Sequence, residues 1–373
     1  MEILARNSSR LALHGGKPAV TEPLRRFNTI GYGEALAASE AVMKGPLSGY
    51  LGGEKRGGFF VEKLEKTWAE MFGVKHAIAS NSATSGILMA CMAIGVLGKT
   101  IRTTPYTMSG SVAPAKLLGA HPIIFGDIDE KTYCLQPVKE GQDKHITITT
   151  NLFGHPSELH PDCFVIEDAA QSILATRNGK RCDADITVFS GNIHKAVQCG
   201  EGGMCCTNDD TIADNMRLAR NHWELSNYPA LGLNLRLTEV QAAIWYVQLM
   251  KAEQIIEGRR NIAEKLSSLA SDLKLGQPPF VREKCTHSYY VWTLKCENAR
   301  WMAKALLAEG VPIKLGYVTP LYKLPTFQTP IRRKVVEETE ASIITYENCT
   351  YDPTKEQMRQ IQQAFEKVAD ASR

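Results

Sequence analysis

Short apolar runs alternate with helical patterns between about residues 59 and 207, and this alternation constrains the fold more than any other feature of the sequence. The runs are rich in β-branched residues and lack polar alternation, which is typical of strands buried on both faces. They predict strands at His76–Ser80, Thr100–Thr103, His121–Phe125, His145–Thr149, Cys163–Glu167, Asp185–Ser190 and Gly203–Thr207. Helical patterns between them, such as Phe59–Phe72, predict an α/β fold with a mostly parallel seven-stranded sheet sandwiched by helices.

The remainder of the sequence predicts a smaller domain. A long helical pattern runs from Leu237 to about Ala270, and Thr238 with Gln241 matches a capping box at its start. A proline pair after Gln277 then interrupts the chain. Beyond it the patterns predict a strand at Tyr289–Cys296, a helix at Asn298–Glu309 and a terminal helix from about Thr354. We therefore expect a large domain with an N-terminal arm in residues 1–250 and a small α+β domain in residues 251–373.

One connection between predicted strands is unusually short. Leu152–Asp162 joins the fourth strand to the fifth, and it contains Pro156 and Pro161. Two prolines leave no room for a full helix, although a parallel crossover normally uses about a dozen residues and a helix. We expect this connection to be extended.

Composition excludes several classes of function. The 43 basic and 40 acidic residues are mixed along the chain, so charge predicts neither a nucleic-acid nor a membrane partner. No apolar run reaches the roughly 18 residues of a membrane span, and the start lacks the order of a secretory signal. The ten cysteines lie mostly in apolar runs without the spacing of a zinc site, which predicts reduced thiols and a cytoplasmic protein without a metal.

Residues suited to chemistry follow three of the predicted strands. Asp168 ends a buried strand within Val165–Gln171, and an acid at that edge of an open sheet can hold a cationic nitrogen of a ligand. The alternative is an aspartate that caps a helix. The turn Ser80–Gly86 places hydroxyls at a helix start, where free N–H groups bind anions, although it also matches an ordinary capped helix.

The third element is Lys195, which lies five residues after the strand that ends at Ser190 and just before the run Gly200–Gly203. Glycines let the backbone approach a ligand closely, and a partly desolvated lysine near an anion can attack a carbonyl. By itself, Lys195 is more typical of a surface lysine. Together, however, an anion site, an acid for a ring nitrogen and a lysine for an aldehyde are the contacts that pyridoxal 5′-phosphate requires.

The same motifs resemble the DegT family of fold-type I sugar aminotransferases. The resemblance covers nearly the whole chain. It includes Leu11–Pro18, Pro46–Tyr50, Phe72–His76, Asn81–Thr84, Pro105–Thr107, Asp127–Asp129, Glu167–Gln171, Lys195–Gly203, Arg220–His222 and Asn234–Ala243. It implies the fold-type I transferase architecture, with a large and a small domain, and pyridoxal phosphate as the cofactor.

The resemblance also implies roles for single residues. Lys195 matches the lysine that forms a Schiff base with the cofactor, and Asp168 matches the acid that keeps the pyridine nitrogen protonated. Gln171 matches the side chain that hydrogen-bonds the ring hydroxyl. The phosphate site matches Ser190, Thr84 and the backbone at Ser82 and Ala83, completed by Asn234 of the partner subunit.

The activity that the resemblance implies is a transamination by a homodimer with shared active sites. The amino donor is an amino acid, usually glutamate, and the acceptor is the keto group of a nucleotide-linked sugar or a cyclitol. Lys195 would move the proton between the amino carbon and the cofactor. This reaction needs neither a nucleic acid nor a membrane.

Two segments expected near the cofactor depart from the usual pattern of the family. Met108 stands where many members stack an aromatic residue on the pyridine ring, and a thioether can still pack there. Gly191-Asn192-Ile193 replaces the more usual Phe-x-Pro. His194 precedes the lysine, and we include it among the candidate catalytic residues beside Lys195 and Asp168, with a structural role as the alternative.

Two other functions stay open on the same scaffold. One is a dehydratase that uses pyridoxamine phosphate, because some relatives replace the lysine with histidine. The spacing to Gly200 disfavours it, since this spacing puts Lys195 and not His194 at the functional position. The other is a non-catalytic binder or regulator, which the complete set of Lys195, Asp168 and Gln171 disfavours.

Overall fold

The computed structural model describes residues 10–50, 56–138, 145–224 and 230–372, which form two compact units. Within those limits, the larger unit consists of Thr29–Ile256 and Val281–Ser288. The smaller unit consists of the described parts of Met1–Asn28, Glu257–Phe280 and Tyr289–Arg373.

This division differs from the boundary expected at residues 250 and 251. The N-terminal arm belongs to the smaller unit, because the Glu309 carboxylate accepts hydrogen bonds from the N–H groups of Ala12 and Ala19, at 2.7 and 2.9 Å. Conversely, Val281–Ser288 belongs to the larger unit, where the Ser288 N–H donates to the Gly154 carbonyl at 3.0 Å. Both assignments depend on contacts between segments that are distant in sequence.

The larger unit contains the seven-stranded sheet that the sequence predicts. Its strands are β1 (His76–Ser80), β2 (Ile101–Thr103), β3 (Ile123–Phe125), β4 (Ile146–Thr150), β5 (Val165–Asp168), β6 (Ile186–Ser190) and β7 (Gly203–Thr207). Their order across the sheet is β1-β7-β6-β5-β4-β2-β3. The neighbours pair in parallel except for β7, which is antiparallel to both β1 and β6. The mostly parallel α/β sheet is therefore confirmed.

The helices of the larger unit are α1 (Tyr32–Lys44), α2 (Phe59–Phe72), α3 (Ala83–Ile94), α4 (Ala113–Leu117), α5 (Asp210–Arg220) and α6 (Glu239–Met250), and α7 (Ala252–Asp272) continues into the smaller unit. Helices α3 and α5 pack with one face of the sheet around Ile148 and Ile166. On the other face, Trp68 of α2 and Trp245 of α6 pack together, and Trp68 contacts Phe189 of β6. The sheet is thus buried on both faces, and each fully buried side chain contributes about 1.5–3 kcal/mol to stability.

The helix expected to run unbroken from Leu237 to Ala270 is two helices in the structure. Lys251 separates α6 from α7, and its N–H donates to the Gln248 carbonyl three residues earlier, which tightens the last turn of α6. The Lys251 ammonium group forms an ion pair with Glu34 of α1. At the start of α6, the Thr238 hydroxyl caps the Gln241 N–H, while the Gln241 side chain donates to the Glu201 carbonyl.

The connection between β4 and β5 has the extended form predicted from its prolines. Among the described residues, only a short 3-10 turn at Leu152–Gly154 is helical there. The turn is buried, and the Ser157 N–H donates to Asn151 Oδ1 at 2.8 Å. Side-chain hydrogen bonds therefore fix this connection in place of a helix.

The smaller unit is the α+β domain that the sequence predicts. Its antiparallel sheet has the order β8 (Trp292–Lys295), β10 (Ile343–Tyr346) and β9 (Ile313–Leu315), and its further helices are α8 (Ala299–Ala308), α9 (Lys334–Ser342) and α10 (Lys355–Ser372). Thr354 and Gln357 form a capping box at the start of α10, with both hydrogen bonds at 3.1 Å. In the part of the chain that the structure describes, no helix is both long and apolar enough to cross a membrane.

Candidate active site

The three sequence elements that suggest chemistry meet at one edge of the large sheet. Strands β1, β5 and β6 end at this edge, and β7 begins there, because Gly203 pairs with both Ser80 and Ser190. A Cβ atom on Gly203 would lie 2.2 Å from the Ser82 carbonyl oxygen. Only glycine therefore lets the start of β7 approach the turn that follows β1.

That turn is a capped helix start whose polar groups remain accessible. The Ser82 hydroxyl accepts a hydrogen bond from the Ser85 N–H at 3.1 Å and caps α3. Ala83 is half-buried and Thr84 is exposed, at the point where the first N–H groups of a helix lack intrahelical acceptors. Ser190, at the end of β6, lies at the same edge and is buried, and its hydroxyl accepts a hydrogen bond from the Asn192 N–H at 3.3 Å. These groups can bind an anion.

Asp168 is a buried carboxylate at the end of β5. Its Oδ2 accepts a hydrogen bond from the Ser111 hydroxyl at 2.5 Å, and its Oδ1 accepts one from the Ala170 N–H at 3.0 Å. Burial raises the pKa of Asp168, while these hydrogen bonds and the positive charge of Lys195 act against the increase. A carboxylate that is buried in this way is stabilised when a cation lies beside it.

Lys195 is half-buried in a loop that is stabilised by hydrogen bonds between its own backbone groups. The Gly191 N–H donates to the Gly202 carbonyl at 2.8 Å, the Ile193 N–H to the Gly200 carbonyl at 2.9 Å, and the Lys195 N–H to the Asn192 carbonyl at 2.8 Å. This loop connects β6 with β7, so both of its ends lie at the same edge of the sheet. The structure thus brings Lys195 close enough to affect the pKa of Asp168.

Gln171 lies immediately after the Asp168 strand. It is buried, and its Oε1 accepts a hydrogen bond from the Phe153 N–H at 2.7 Å. The Ser288 hydroxyl donates to the Gln171 carbonyl at 2.8 Å. The Phe153 contact orients the Gln171 side-chain amide, with its Nε2 on the side away from the Phe153 N–H, while the Ser288 contact holds the Gln171 backbone.

The three remaining sequence candidates are exposed. Met108 is 60% exposed between β2 and α4, and His194 is exposed beside Lys195. Asn234 is also exposed, and its backbone forms a bridge with Asn221. The adjacent Leu235 carbonyl accepts from the Asn81 N–H at 2.9 Å, which joins the Asn234 segment to the turn before α3.

Sequence reasoning missed the hydroxyl groups that hold Asp168. The Ser111 hydroxyl is 3.1 Å from the Thr107 hydroxyl, and the Thr150 hydroxyl donates to Thr107 at 3.2 Å. Thr107 belongs to the Pro105–Thr107 motif and Thr150 ends β4, but nothing in the sequence links either residue to Asp168. Proximity in the fold reveals the relationship.

The donor set of this edge suits a phosphorylated pyridine aldehyde. Such a ligand presents a cationic ring nitrogen, an aldehyde and a phosphate, which match the buried acid, the lysine and the helix start. Within the described residues, no group of three or more histidine, cysteine or acidic side chains could hold a metal ion.

Comparison with known proteins gives the family of the chain. Residues 51–370 match the model of the DegT/DnrJ/EryC1/StrS aminotransferase family. A GDP-perosamine synthase of Caulobacter vibrioides is 31% identical, over 64% of this chain and 69% of that protein. A UDP-2-acetamido-2-deoxy-3-oxo-D-glucuronate aminotransferase of Pseudomonas aeruginosa is 31% identical, over 71% of this chain and 78% of that protein.

A solved aminotransferase of this family from Brucella abortus has the same fold. Its TM-score is 0.77 at 25% identity, and the match covers 89% of this chain and 94% of that chain. The resemblance noted in the sequence is therefore confirmed over both units, and so is the transaminase class of enzyme. The chain belongs to the DegT/DnrJ/EryC1/StrS aminotransferase family.

Proposed function

We propose that this enzyme binds pyridoxal 5′-phosphate through Lys195 and transfers an amino group from glutamate to the keto group of a nucleotide-linked sugar or a cyclitol. The observation that carries the proposal is the pairing of β5 with β6, which places the buried Asp168 beside the strand that leads into the Lys195 loop. The acid and the amine thus lie at one edge of the sheet, next to a helix start that can bind phosphate.

Each end of the cofactor has a matching group in this chain. Asp168 would accept a hydrogen bond from the protonated ring nitrogen, and the Gln171 amide would donate to the ring hydroxyl through Nε2. Ser190, Thr84 and the backbone at Ser82 and Ala83 would bind the phosphate. Met108 would cover the ring where many relatives have an aromatic residue.

When bound, pyridoxal phosphate supplies an aldehyde that takes up the amino group and a cationic ring that withdraws electrons from the amino carbon. Lys195 would hold the cofactor covalently through Nζ. As a general base, the same Nζ would carry the proton between the amino carbon and the aldehyde-derived carbon of the cofactor. His194 is exposed beside Lys195, where its side chain can contact the substrate.

The same proposal makes the enzyme a homodimer in which Asn234 of the partner subunit completes the phosphate site. Two observations support it. Asn234 is exposed, and so are the leucines beside it, Leu231 at 87% and Leu233 at 49%. Exposed apolar side chains around a polar residue are typical of a surface that another protein covers.

The two relatives named above support the class of acceptor, because one name refers to a GDP-linked and the other to a UDP-linked sugar. We infer a cytoplasmic enzyme from the mixed charge and the scattered cysteines. Because both kinds of substrate are small molecules, the reaction requires no nucleic acid and no membrane.

The decisive experiment loads the purified protein with pyridoxal phosphate and screens keto-sugar nucleotides and inososes with glutamate as donor. Formation of 2-oxoglutarate together with an aminated acceptor would support the proposal. Dehydrated product without amine transfer would instead indicate the dehydratase.

Lys195→Ala should lose the yellow absorbance of the covalently held cofactor, and an unchanged spectrum in that variant would contradict the role of Lys195.

A further inference from the structure

Three buried hydroxyl groups form a continuous chain of hydrogen bonds that ends on Asp168. Thr150 Oγ1 is 3.2 Å from Thr107 Oγ1, Thr107 Oγ1 is 3.1 Å from Ser111 Oγ, and Ser111 Oγ is 2.5 Å from Asp168 Oδ2. The exposed fraction is 3% for Thr150, 3% for Thr107 and 2% for Ser111. Water is therefore largely excluded from this chain of hydroxyls.

The direction of each hydrogen bond follows from counting protons. An ionised carboxylate only accepts, so Ser111 must donate its single hydroxyl proton to Asp168. The Ser111 oxygen can then only accept from Thr107, and the Thr107 oxygen can only accept from Thr150. All three hydroxyl dipoles point toward the carboxylate, and bonds aligned in this way strengthen one another.

This alignment opposes the effect of burial on Asp168. Burial disfavours the charged carboxylate, whereas donors to Oδ1 and Oδ2 favour it. The positive charge of Lys195 also favours the charged form. Of the two hydrogen-bond donors, the Ala170 N–H belongs to the backbone, so the Ser111 hydroxyl is the donor that a side-chain substitution can remove. Its strength in turn depends on Thr107 and Thr150.

We propose that Thr150, Thr107 and Ser111 are positioning residues that keep Asp168 ionised and hold its carboxylate in one orientation. The part of this inference that concerns the ring nitrogen rests on the proposed function. The part that concerns the charge of Asp168 does not, because it can be measured without the cofactor.

The first experiment uses the cofactor-free protein. The protonation of Asp168 is followed across pH by infrared spectroscopy with labelled aspartate, and Asp168→Asn identifies the signal. In Ser111→Ala the midpoint pH should rise by about one to two units, because a hydrogen bond to a charged group is lost. Ser111→Thr retains the hydroxyl and should keep the wild-type midpoint.

Strand β4 offers a second test variant and its matched control. Thr150 and Thr149 are neighbours in β4, and both hydroxyls are buried, but Thr149 donates to Ser157 at 2.9 Å and lies outside the hydroxyl chain. Thr150→Val should raise the midpoint by less than Ser111→Ala, and Thr149→Val should leave it unchanged. Both substitutions preserve the shape of the side chain, so they test the inference even if Ser111→Ala does not fold.

An unchanged midpoint in both Ser111→Ala and Thr150→Val would overturn the inference, and so would an equal shift in Thr149→Val. The second experiment measures affinity for pyridoxal phosphate, for which Ser111→Ala should bind roughly tenfold more weakly. A shifted midpoint with unchanged affinity would leave the hydroxyl chain supported. It would count against the proposed place of Asp168 beneath the ring.

Discussion

The indole ring of Trp245 occupies the space that a side chain at position 191 would need. A Cβ atom on Gly191 would lie 2.8 Å from Trp245 Cε2 and 2.9 Å from Cζ2. Trp245 is fully buried, and it also limits the space at Gly202, on the other side of the Lys195 loop. Together with Cys199 Sγ, which would lie 2.9 Å from the same Cβ atom, this contact explains why position 191 holds glycine.

Gly191→Ala should therefore displace the Lys195 loop. Overpacking against the indole should lower the free energy of unfolding by about 1–3 kcal/mol and weaken cofactor loading. The measurements are a denaturation curve and the absorbance of bound cofactor. Adding Trp245→Phe should restore part of both losses, because it removes the clashing ring edge. Gly258→Ala is the control, since no atom lies within 4 Å of that Cβ position.

Asp168→Ala should retain some cofactor and lose turnover. Without the carboxylate the ring nitrogen has no acceptor in its buried site, so we expect kcat to fall roughly 100-fold or more. Absorbance measures retention, and release of 2-oxoglutarate measures turnover. Asp162→Ala removes an exposed acid before the same strand and should behave as wild type. Full activity in Asp168→Ala would refute the role of Asp168.

Mixing two inactive variants tests whether subunits share their sites. In a heterodimer of Lys195→Ala and Asn234→Ala subunits, one site would combine an intact Lys195 with Asn234 of the partner subunit. Random pairing should restore about a quarter of wild-type activity. If each site used its own Asn234, every heterodimer site would carry a defect and no recovery would be observed.

The substitution Arg177→Met should destabilise the larger unit. The Arg177 guanidinium lies 2.9 Å from Glu167, which is 1% exposed, and it also pairs with Asp183. Leaving Glu167 buried without its partner should cost about 3–5 kcal/mol of unfolding free energy, read from a denaturation curve. The double variant Arg177→Met, Glu167→Gln should lose less unfolding free energy than Arg177→Met alone. The exposed pair of Arg359 and Glu356 is the comparison, and Arg359→Ala should leave the curve unchanged.

His155 should make the folded protein sensitive to acid. Burial lowers the pKa of His155 to about 4 from its ordinary value of 6.5. Its Nδ1 donates to the Pro156 carbonyl, and its Nε2 accepts from the Arg282 N–H, so the folded state holds the ring neutral. As pH falls from 6.5 to 4, the unfolded chain takes up the proton first and stability declines.

Between pH 6.5 and pH 4 the free energy of unfolding should fall by about 3 kcal/mol, because each unit of difference between the folded and unfolded pKa corresponds to about 1.4 kcal/mol. Unfolding curves at a series of pH values should show a weaker decline in His155→Gln than in the wild type. Parallel declines in the two proteins would show that other groups cause the acid sensitivity.

Local pattern predicts most of the fold, because buried strands and amphipathic helices have a sequence signature of their own. The bounds of β1, β7 and α2 coincide with their predicted residues. Features that depend on distant partners were not predictable in this way. The arm residue Ala12 joins the smaller unit through Glu309, and α6 ends just before Lys251, which pairs with Glu34, although no local signal marks either contact.

The same distinction, between local sequence signals and contacts with distant residues, applies to the candidate site. Asp168 and Lys195 are predictable because each follows a strand, and parallel strands end at a common edge. Ser111 and Trp245 are not predictable, because a serine among small residues and a tryptophan in a helix have many ordinary roles. Their importance depends on what the fold places against them. For Ser111 this is Asp168 Oδ2, and for Trp245 it is the space that a Cβ atom on Gly191 would fill.

The antiparallel direction of β7 has a consequence for the movement of Lys195. Because β6 ends and β7 begins at the same edge, the two sides of the loop lie next to each other, and backbone hydrogen bonds join Gly191 to Gly202 and Ile193 to Gly200. These bonds oppose a hinged movement of the loop, so the reach of Nζ is set mainly by the four methylene groups of its own side chain. The proton transfer proposed for Lys195 would then require only rotamer changes, which are faster than the rearrangement of a loop.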